Sequence, residues 1–135
     1  MTSPRRNFRL PEADEEILIR LGLRWETISE GPRRWLVIYD FPLPPGYNVA
    51  IVSLAIEIPA GYPPGALDMG YFHPPLRRAD GKAIPQANHN EQMAGKSWQR
   101  WSRHRTGECP WVPGEDSLET HIEFVKAFLE REPRR

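Results

Sequence analysis

Residues 71–111 read Tyr71-Phe72-His73-Pro74-Pro75, then a polar segment, then Trp98-Gln99-Arg100-Trp101-Ser102-Arg103-His104-Arg105, and finally Cys109-Pro110-Trp111. They contain three of the five tryptophans, three of the four histidines and the only cysteine. Hydrophobic segments precede this stretch and one amphipathic segment follows it. Because functional groups are often carried on loops that a rigid scaffold holds, we interpret the flanks as scaffold and this stretch as the functional part.

The composition predicts one folded domain. Of its 135 residues 39% are hydrophobic and 27% are charged, which is enough apolar material to bury a core. The formal net charge is zero, which argues against a general polyanion binder. The 18 basic residues are 15 arginines and three lysines, and arginine favours bidentate contacts over proton chemistry.

We expect a cytoplasmic protein with no membrane partner. A single cysteine excludes an internal disulfide, and a free thiol is typical of a reducing compartment. The charges near the N-terminus are not followed by an apolar run, unlike those of a signal peptide. No apolar segment approaches membrane-spanning length.

The first half of the chain predicts a helix followed by strands. Residues 1–10 are expected to form a flexible arm, and a single domain is expected over residues 11–133. Pro11, the acidic residues after it and Gly22 mark the start and the end of a helix. The strands expected next, with connections too short for parallel crossovers, are residues 24–29, 34–41, 49–58 and 66–72.

The second half predicts a long loop and a second helix. Residues 76–97 are polar and lack periodicity, and residues 98–105 are compatible with one or two helical turns. Asp116 and Glu119 have the spacing of a capping box, and Pro133 ends the helix that they begin. Its apolar stripe contains Leu118, Ile122, Val125, Phe128 and Leu129. The expected fold class is α+β, with an N-terminal helix, an antiparallel meander of about four strands, a long active-site loop and a C-terminal helix.

Several strings resemble the ubiquitin-conjugating (UBC) fold superfamily. Ile56-Glu57-Ile58-Pro59-Ala60-Gly61-Tyr62-Pro63 is similar to that family's strand ending in a Tyr-Pro turn. Tyr71-Phe72-His73-Pro74-Pro75 resembles its Tyr-x-His-Pro-Asn motif, and Asp80-Gly81 resembles the turn that follows. Pro110-Trp111-Val112-Pro113 resembles the Trp-x-Pro before a later helix. The resemblance covers residues 10–132 and implies a UBC-like fold, with His73, Pro74, Asp80 and Gly81 as motif residues.

Two further strings resemble a bacterial subgroup, the prokaryotic E2 family E. They are Asp40-Phe41-Pro42-Leu43-Pro44-Pro45-Gly46-Tyr47-Asn48 and residues 98–105. Such proteins tend to be encoded beside a ubiquitin-like protein, a ThiF-type activating enzyme and a peptidase. The resemblance therefore implies that a ubiquitin-like protein and a ThiF-type enzyme are partners, in the setting of an antiphage defence operon.

Two departures from the superfamily pattern concern its chemistry. The nucleophilic cysteine of the superfamily lies a few residues after the Asp-Gly turn, but here Asp80-Gly81 is followed by Lys82-Ala83-Ile84-Pro85-Gln86. The motif asparagine, which would stabilise an oxyanion, is replaced by Pro75. Both changes put the usual thioester mechanism in doubt.

Three side chains are candidates for acyl transfer. Cys109 is the only thiol and lies close in sequence to His104 and Arg105, although far beyond the expected position. Ser102 lies in the most distinctive string, where its hydroxyl could accept an acyl group as an oxyester. His104 is the best candidate for a base or acid. The structural alternatives are an incidental loop cysteine and a surface serine; Ser97 and Thr106 are weaker hydroxyl candidates.

The other histidines are expected to be structural or solvated. His73 is expected to bond to the backbone of the following loop, His89 to be solvated, and His121 to lie at the boundary of the helix stripe. The spacing of the histidines, with a single cysteine, predicts no zinc site.

Aromatic and basic residues in the central string suggest a binding surface. Trp98 and Trp101, with Arg100, Arg103 and Arg105, could grip a ubiquitin-like partner or shape the cleft. The same residues could stack on single-stranded nucleic acid, but the neutral chain makes this the least favoured interpretation.

Two hypotheses of function follow. The first is a carrier enzyme that accepts a ubiquitin-like modifier from the ThiF-type enzyme near Ser102 or Cys109 and passes it to an amine. No cofactor is expected on this domain, because ATP and magnesium would belong to the activating enzyme. The alternative is a non-catalytic UBC-like scaffold that binds the modifier or the activating enzyme.

Overall fold

A computed structural model describes residues 3–105 and 109–135. The two α-helices are α1, Glu12–Leu21, and α2, Leu118–Arg131, the latter continued by a 3₁₀ turn over Glu132–Arg134. The strands are β1 Trp25–Glu30, β2 Arg33–Pro42, β3 Ile51–Glu57, β4 Gly70–His73, β5 His89–Met93 and β6 Lys96–Trp101. The fold is α+β: all six strands form one antiparallel sheet in the order β1-β2-β3-β4-β6-β5.

The first helix and the four-strand meander agree with the sequence prediction. Gly22 takes a left-handed conformation at the end of α1, as a helix-terminating glycine does. In β3, Val52, Leu54 and Ile56 face the helices and are fully buried, as their spacing of two predicts. These elements carry strong local patterns, so each could be predicted without knowledge of its partners.

The hairpin of β5 and β6 corrects two predictions. Residues 76–97 are not one long loop, and residues 98–101 are a strand rather than helical turns. β5 reads His-Asn-Glu-Gln-Met and shows no apolar alternation, because most of its side chains are exposed. The turn uses Ala94 and Gly95 with φ of 53° and 76°, which is the conformation of a two-residue hairpin turn. The sheet therefore has six strands instead of about four.

The sheet separates two apolar clusters. On one face both helices pack against the strands, with Leu18, Leu54 and Phe128 among the buried residues. The other face carries a smaller cluster without a helix, consisting of Ile28, Trp35, Val37, Ala55, Tyr71, Met93 and Trp98. Each face contributes separately to the buried apolar area that stabilises the fold.

The sheet curls so that its two ends meet around the smaller cluster. β1 and β5 are the first and last strands in the sheet order. Nevertheless, the Ala94 N–H donates to the Glu30 carboxylate at 2.7 Å, and Arg33 forms an ion pair with Glu91 at 3.0 Å. These contacts join the β1–β2 hairpin to the β5–β6 hairpin and close one end of the curl.

The described part of the predicted flexible arm is docked on β1. Arg6 forms a parallel bridge with Thr27, and the Asn7 N–H donates to the Thr27 carbonyl at 3.0 Å. Leu10 is buried in the larger cluster. The outer edge of β1 is thus covered, which removes an exposed strand edge.

The start of α2 differs by one residue from the predicted capping box. The N-cap is Ser117, whose N–H donates to Thr120 Oγ1 at 2.9 Å. Asp116 instead accepts from the Val112 N–H at 2.6 Å and pairs with Arg105. The apolar stripe of α2 is buried as predicted. Within the described residues, neither helix is long and apolar enough to cross a bilayer.

Candidate functional site

The His73-Pro74 element lies at the end of β4, beside β6. His73 Nδ1 is 3.0 Å from the carbonyl oxygen of Ser97, and its ring packs against Trp98 with centroids 5.6 Å apart. These contacts tie the end of β4 to the next strand in the sheet. The chain then leaves the sheet at Pro75.

The Asp80-Gly81 turn is held by a buried arginine. Arg78 donates from Nε and Nη2 to the two carboxylate oxygens of Asp80, at 3.0 and 2.7 Å. This bond lowers the pKa of Asp80 from its ordinary value. Gly81 has a φ of +80°, a conformation that a residue with a side chain rarely adopts. The turn is therefore an ordered feature of the molecule.

A cleft of about 530 Å³ lies beside this turn, and we call it the motif cleft. Ile84 and Lys82 line it, at the place where the superfamily pattern has its cysteine. Among its described lining residues there is no cysteine, serine or threonine. The lining consists of Asn48, Leu76, Arg77, Arg78, Ala79, Gly81, Lys82, Ala83, Ile84, Ala87, Asn88 and Gln99. The described lining of this cleft therefore offers no thiol or hydroxyl in place of the superfamily's cysteine.

Asn48 lines the motif cleft, and its role there is not evident from the sequence. Its Oδ1 accepts from the Arg77 N–H at 2.8 Å, and its Nδ2 donates to the Pro75 carbonyl at 3.3 Å. Its backbone N–H donates to the Arg77 carbonyl at 2.9 Å. A carboxamide thus lies next to Pro75, the position of the superfamily's motif asparagine. No local signal marks it, because the contact joins segments 27 residues apart.

A second cleft, of about 710 Å³, lies between the chain after β6 and α2, and we call it the arginine cleft. His104 and Cys109 both line it. Ser102 lies outside both sets of lining residues and is half-buried, with its N–H bonded to the Gln86 carbonyl at 2.9 Å. The described lining of the arginine cleft consists of Arg103, His104, Arg105, Cys109, Asp116, Thr120, Glu123, Phe124, Ala127, Arg131 and Arg135.

His104 is oriented by Asp68, a residue that no sequence motif marks. His104 Nδ1 is 2.7 Å from Asp68 Oδ2, and the Arg105 N–H donates to Asp68 Oδ1 at 2.9 Å. The carboxylate therefore fixes both the imidazole and the backbone after it. A histidine held in this way through Nδ1 has Nε2 left for proton transfer.

Cys109 is held by its backbone while its side chain is exposed. The Arg105 Nε donates to the Cys109 carbonyl at 3.2 Å, and Arg105 Nη2 forms an ion pair with Asp116 at 3.0 Å. The Arg105 guanidinium also lies 5.1 Å from the ring centroids of both Trp111 and Phe124. Its side chain is only 4% exposed, so Arg105 is a structural anchor rather than the partner-binding residue we expected.

Arg103 connects the two clefts. Its Nη1 donates to the Pro85 carbonyl at 2.9 Å, and its Nη2 donates to Glu132 at 3.3 Å. Burial lowers the pKa of Arg103, because desolvation disfavours the charged guanidinium. Pro85 follows the motif-cleft residue Ile84, whereas Arg103 itself lines the arginine cleft. The loop after Asp80-Gly81 is thus tied to the string that contains His104.

A family comparison agrees with this arrangement of motifs. The sequence model of the prokaryotic E2 family E matches residues 10–132. The chain belongs to this family. Membership supports a conjugating-enzyme-like role in general, and with it interaction with a modifier and an activating enzyme. Comparisons with curated proteins and with solved structures gave no match.

The two tryptophans of the family E string are core residues, which corrects their predicted role in partner binding. Trp98 is 2% exposed and Trp101 is 0% exposed, on opposite faces of the sheet. Trp98 Nε1 donates to the Met93 carbonyl, and Trp101 Nε1 donates to Gln99, each at 3.0 Å. Buried and hydrogen-bonded rings are unavailable for gripping a protein or stacking on a base. Arg100, opposite Tyr71 on β4, is half-buried.

His121, on α2 of this family E protein, is buried in the core. His121 is 0% exposed, and its Nε2 lies 2.9 Å from the Met69 carbonyl. Burial lowers the pKa of His121 to about 4. It is therefore a core residue instead of the boundary residue we expected. No group of three or more potential metal ligands occurs among residues 3–105 and 109–135. Thr106 falls outside the described residues.

Proposed function

We propose that this family E protein is an acyl carrier with a UBC-like fold. It accepts a ubiquitin-like modifier from a ThiF-type activating enzyme on Cys109 and transfers it to an amine. The observation that supports Cys109 is its place in the arginine cleft together with His104, which Asp68 orients. Thiolates are effective acyl acceptors, and a base beside them favours the reaction.

Ser102 is the weaker acceptor on geometric grounds. It lies outside the described lining of the arginine cleft, whereas Cys109 is exposed in it. The motif cleft offers no alternative hydroxyl or thiol among its described lining residues. Cys109 therefore remains the candidate that combines access with a neighbouring base.

The proposed reaction has two steps. In the first, the Cys109 sulfur forms a bond with the C-terminal carbonyl carbon of the modifier, and the bond from that carbon to its leaving group on the activating enzyme breaks. His104 takes the thiol proton and returns it to the departing group. In the second, an amine forms the C–N bond while the C–S bond breaks, and the amine proton restores the thiol. ATP and magnesium act on the activating enzyme, and this domain holds no cofactor.

The setting of this chemistry is the cytoplasm, where a free thiol stays reduced. The operon setting that the family resemblance implies supports the presence of the modifier and the activating enzyme in the same cell. The same proposal includes a role for the chain in antiphage defence.

A non-catalytic scaffold is the second candidate function. It is supported by the absence of a nucleophile from the described lining of the motif cleft. As a scaffold, the protein binds the modifier or the activating enzyme and forms no covalent adduct. A carrier forms a covalent bond with the modifier, whereas a scaffold binds without one, and this difference can be observed.

A charging reaction tests the carrier function. The protein is mixed with the neighbouring ubiquitin-like protein, its activating enzyme and ATP, and intact mass is recorded before and after mild thiol. We expect an adduct that thiol removes, that Cys109→Ala abolishes and that Ser102→Ala retains. Loss of the adduct in Ser102→Ala alone moves the acceptor to Ser102. Binding without any adduct supports the scaffold.

The role of His104 has its own readout. His104→Gln and Asp68→Asn should each slow formation of the adduct, because neither variant presents an oriented base to the Cys109 thiol. His89→Gln, an exposed histidine on β5, serves as the matched control. Equal charging rates in all three variants would remove His104 from the mechanism.

A further inference from the structure

The arginine cleft carries more positive than negative charge. Among the described residues, four arginines line it, against two carboxylates, Asp116 and Glu123. Asp116 is already paired with Arg105, and Glu123 lies 3.6 Å from Lys126. The four arginines are Arg103, Arg105, Arg131 and Arg135. The cleft therefore attracts an anion once its internal pairs are counted.

Two of these arginines have side chains that the described ion pairs do not use. Arg131 and Arg135 are exposed, and their side chains form no ion pair within the part of the chain that the structure describes. By contrast, Arg103 and Arg105 are both paired with carboxylates. Arginine presents a planar fork that matches carboxylate oxygens, so Arg131 and Arg135 can bind one.

A buried guanidinium also remains partly unsatisfied at this cleft. The side chain of Arg105 is only 4% exposed, and its Nη1 has no hydrogen-bond partner among the described residues. Buried donors normally find a partner in the protein, in water or in a ligand. An anion in the cleft increases the electrostatic stabilisation of this charge.

The wall on the α2 side is partly apolar. Phe124 and Ala127 are half-buried residues of α2 that line the cleft. Together with the arginines they offer one apolar surface beside a positive rim. A small inorganic anion makes no use of an apolar surface, whereas a peptide with acidic and aliphatic side chains uses both.

We infer that the arginine cleft binds an acidic peptide segment, with a carboxylate on Arg131 and Arg135 and an aliphatic side chain on Phe124. Identifying this segment as part of the amine acceptor rests on the proposed function. Since His104 and Cys109 line the same cleft, an acceptor lysine with a nearby Asp or Glu would be placed beside the acyl group. The cleft thus selects targets by charge, before chemistry begins.

Binding is tested without the modifier or the activating enzyme, so failure of the carrier function leaves this test intact. The probe is a fluorescein-labelled pentapeptide with three glutamates, one leucine and one lysine, and its binding is measured by fluorescence anisotropy at low salt. The Arg131→Gln, Arg135→Gln double variant should weaken binding by about fivefold, since two exposed ion pairs together contribute on the order of 1 kcal/mol. Arg134→Gln is the matched control. Arg134 is exposed in the 3₁₀ turn between Arg131 and Arg135 but does not line the cleft.

The outcomes separate this inference from general charge attraction. The same peptide with glutamines in place of glutamates should not bind. Phe124→Ala should weaken binding of the glutamate peptide, because the leucine loses its apolar contact. If Arg134→Gln loses as much peptide affinity as the double variant, or if the wild-type protein binds no peptide up to about 1 mM, the inference is overturned. Tighter binding of inorganic phosphate or of an oligothymidine at the same arginines also overturns it, in favour of phosphate recognition.

Discussion

Glu132, buried at the end of α2, accepts a hydrogen bond from Arg78 Nη1 at 3.1 Å. Its second oxygen accepts from Arg103 at 3.3 Å. One carboxylate thus holds the arginine that orders the Asp80-Gly81 turn and the arginine that precedes His104. The motif cleft and the arginine cleft share this support.

Replacing Glu132 by Ala should destabilise the protein strongly. Removing one partner of a buried charge group leaves the other charges uncompensated, which typically costs about 3–5 kcal/mol. Urea unfolding followed by tryptophan fluorescence measures the change. Glu130→Ala, at an exposed position of the same helix, is the control and should change stability by less than about 0.5 kcal/mol. Similar midpoints for both variants would mean that Glu132 does not support the clefts.

The buried His121 should make the protein less stable as the pH falls. Its pKa is about 4 in the folded protein against 6.5 for an ordinary histidine, so the unfolded chain takes up a proton that the folded chain does not. The stability is complete above the unfolded pKa and is lost as the pH falls from about 6.5 towards 4, by about 2 kcal/mol between pH 7 and pH 5.

This pH effect is measured as the free energy of unfolding in urea at each pH. His121→Gln should flatten the slope between pH 7 and pH 5, although it lowers the stability at pH 7. His89→Gln, an exposed position, should keep the original slope. A His121→Gln protein with an unchanged slope would assign the pH dependence to other groups.

Trp101 should behave as a core residue rather than as a binding residue. Its ring lies 5.4 Å from Phe72 and 5.7 Å from Phe128, measured between centroids. Truncation to Ala should cost about 3–5 kcal/mol, as for other buried large aromatic residues. Thermal unfolding by circular dichroism reports the loss. A stable Trp101→Ala protein that fails only in partner binding would restore the surface role.

Asn48 should position the segment after the His73-Pro74 element. Asn48→Ala removes both side-chain bonds to the backbone of Pro75 and Arg77, and each such bond contributes about 1 kcal/mol. Asn48→Asp keeps the acceptor for the Arg77 N–H but loses the donor to Pro75, so its stability should lie between wild type and Asn48→Ala. Hydrogen exchange of the Arg77 amide measures the loosening directly. Unchanged exchange in Asn48→Ala would show that the segment is held by other contacts.

Local patterns in the sequence account for most of the scaffold. The acidic start of α1, the alternation in β3 and the stripe of α2 each report burial on one face of one element, so neighbours along the chain suffice to predict them. β5 lacks such a pattern, because an exposed edge strand has no buried face to record. Without the β5–β6 hairpin, the sequence suggests a surface role for Trp98 and Trp101, whereas β6 places them on the two faces of the sheet.

The candidate site depends on contacts that sequence spacing does not reveal. His104 and Cys109 were predicted from their chemistry, and the structure places both on one cleft. Asp68, which orients His104, lies 36 residues away, across β4 and the β5–β6 hairpin. Its partnership follows only from the pairing of β4 with β6. Family membership indicates a conjugating-enzyme-like role. The acceptor atom is identified by the chemical lability of the adduct.

The most direct measurement is the chemical lability of the adduct when Cys109 is replaced by Ser. In the charging reaction with the modifier, the activating enzyme and ATP, wild type should give an adduct that mild thiol removes. Cys109→Ser should give an adduct of the same mass increment that resists thiol and is lost in hydroxylamine, because an oxygen ester has replaced the thioester. A thiol-resistant adduct on wild type, or a thiol-labile adduct on Cys109→Ser, would contradict the claim that Cys109 is the acceptor.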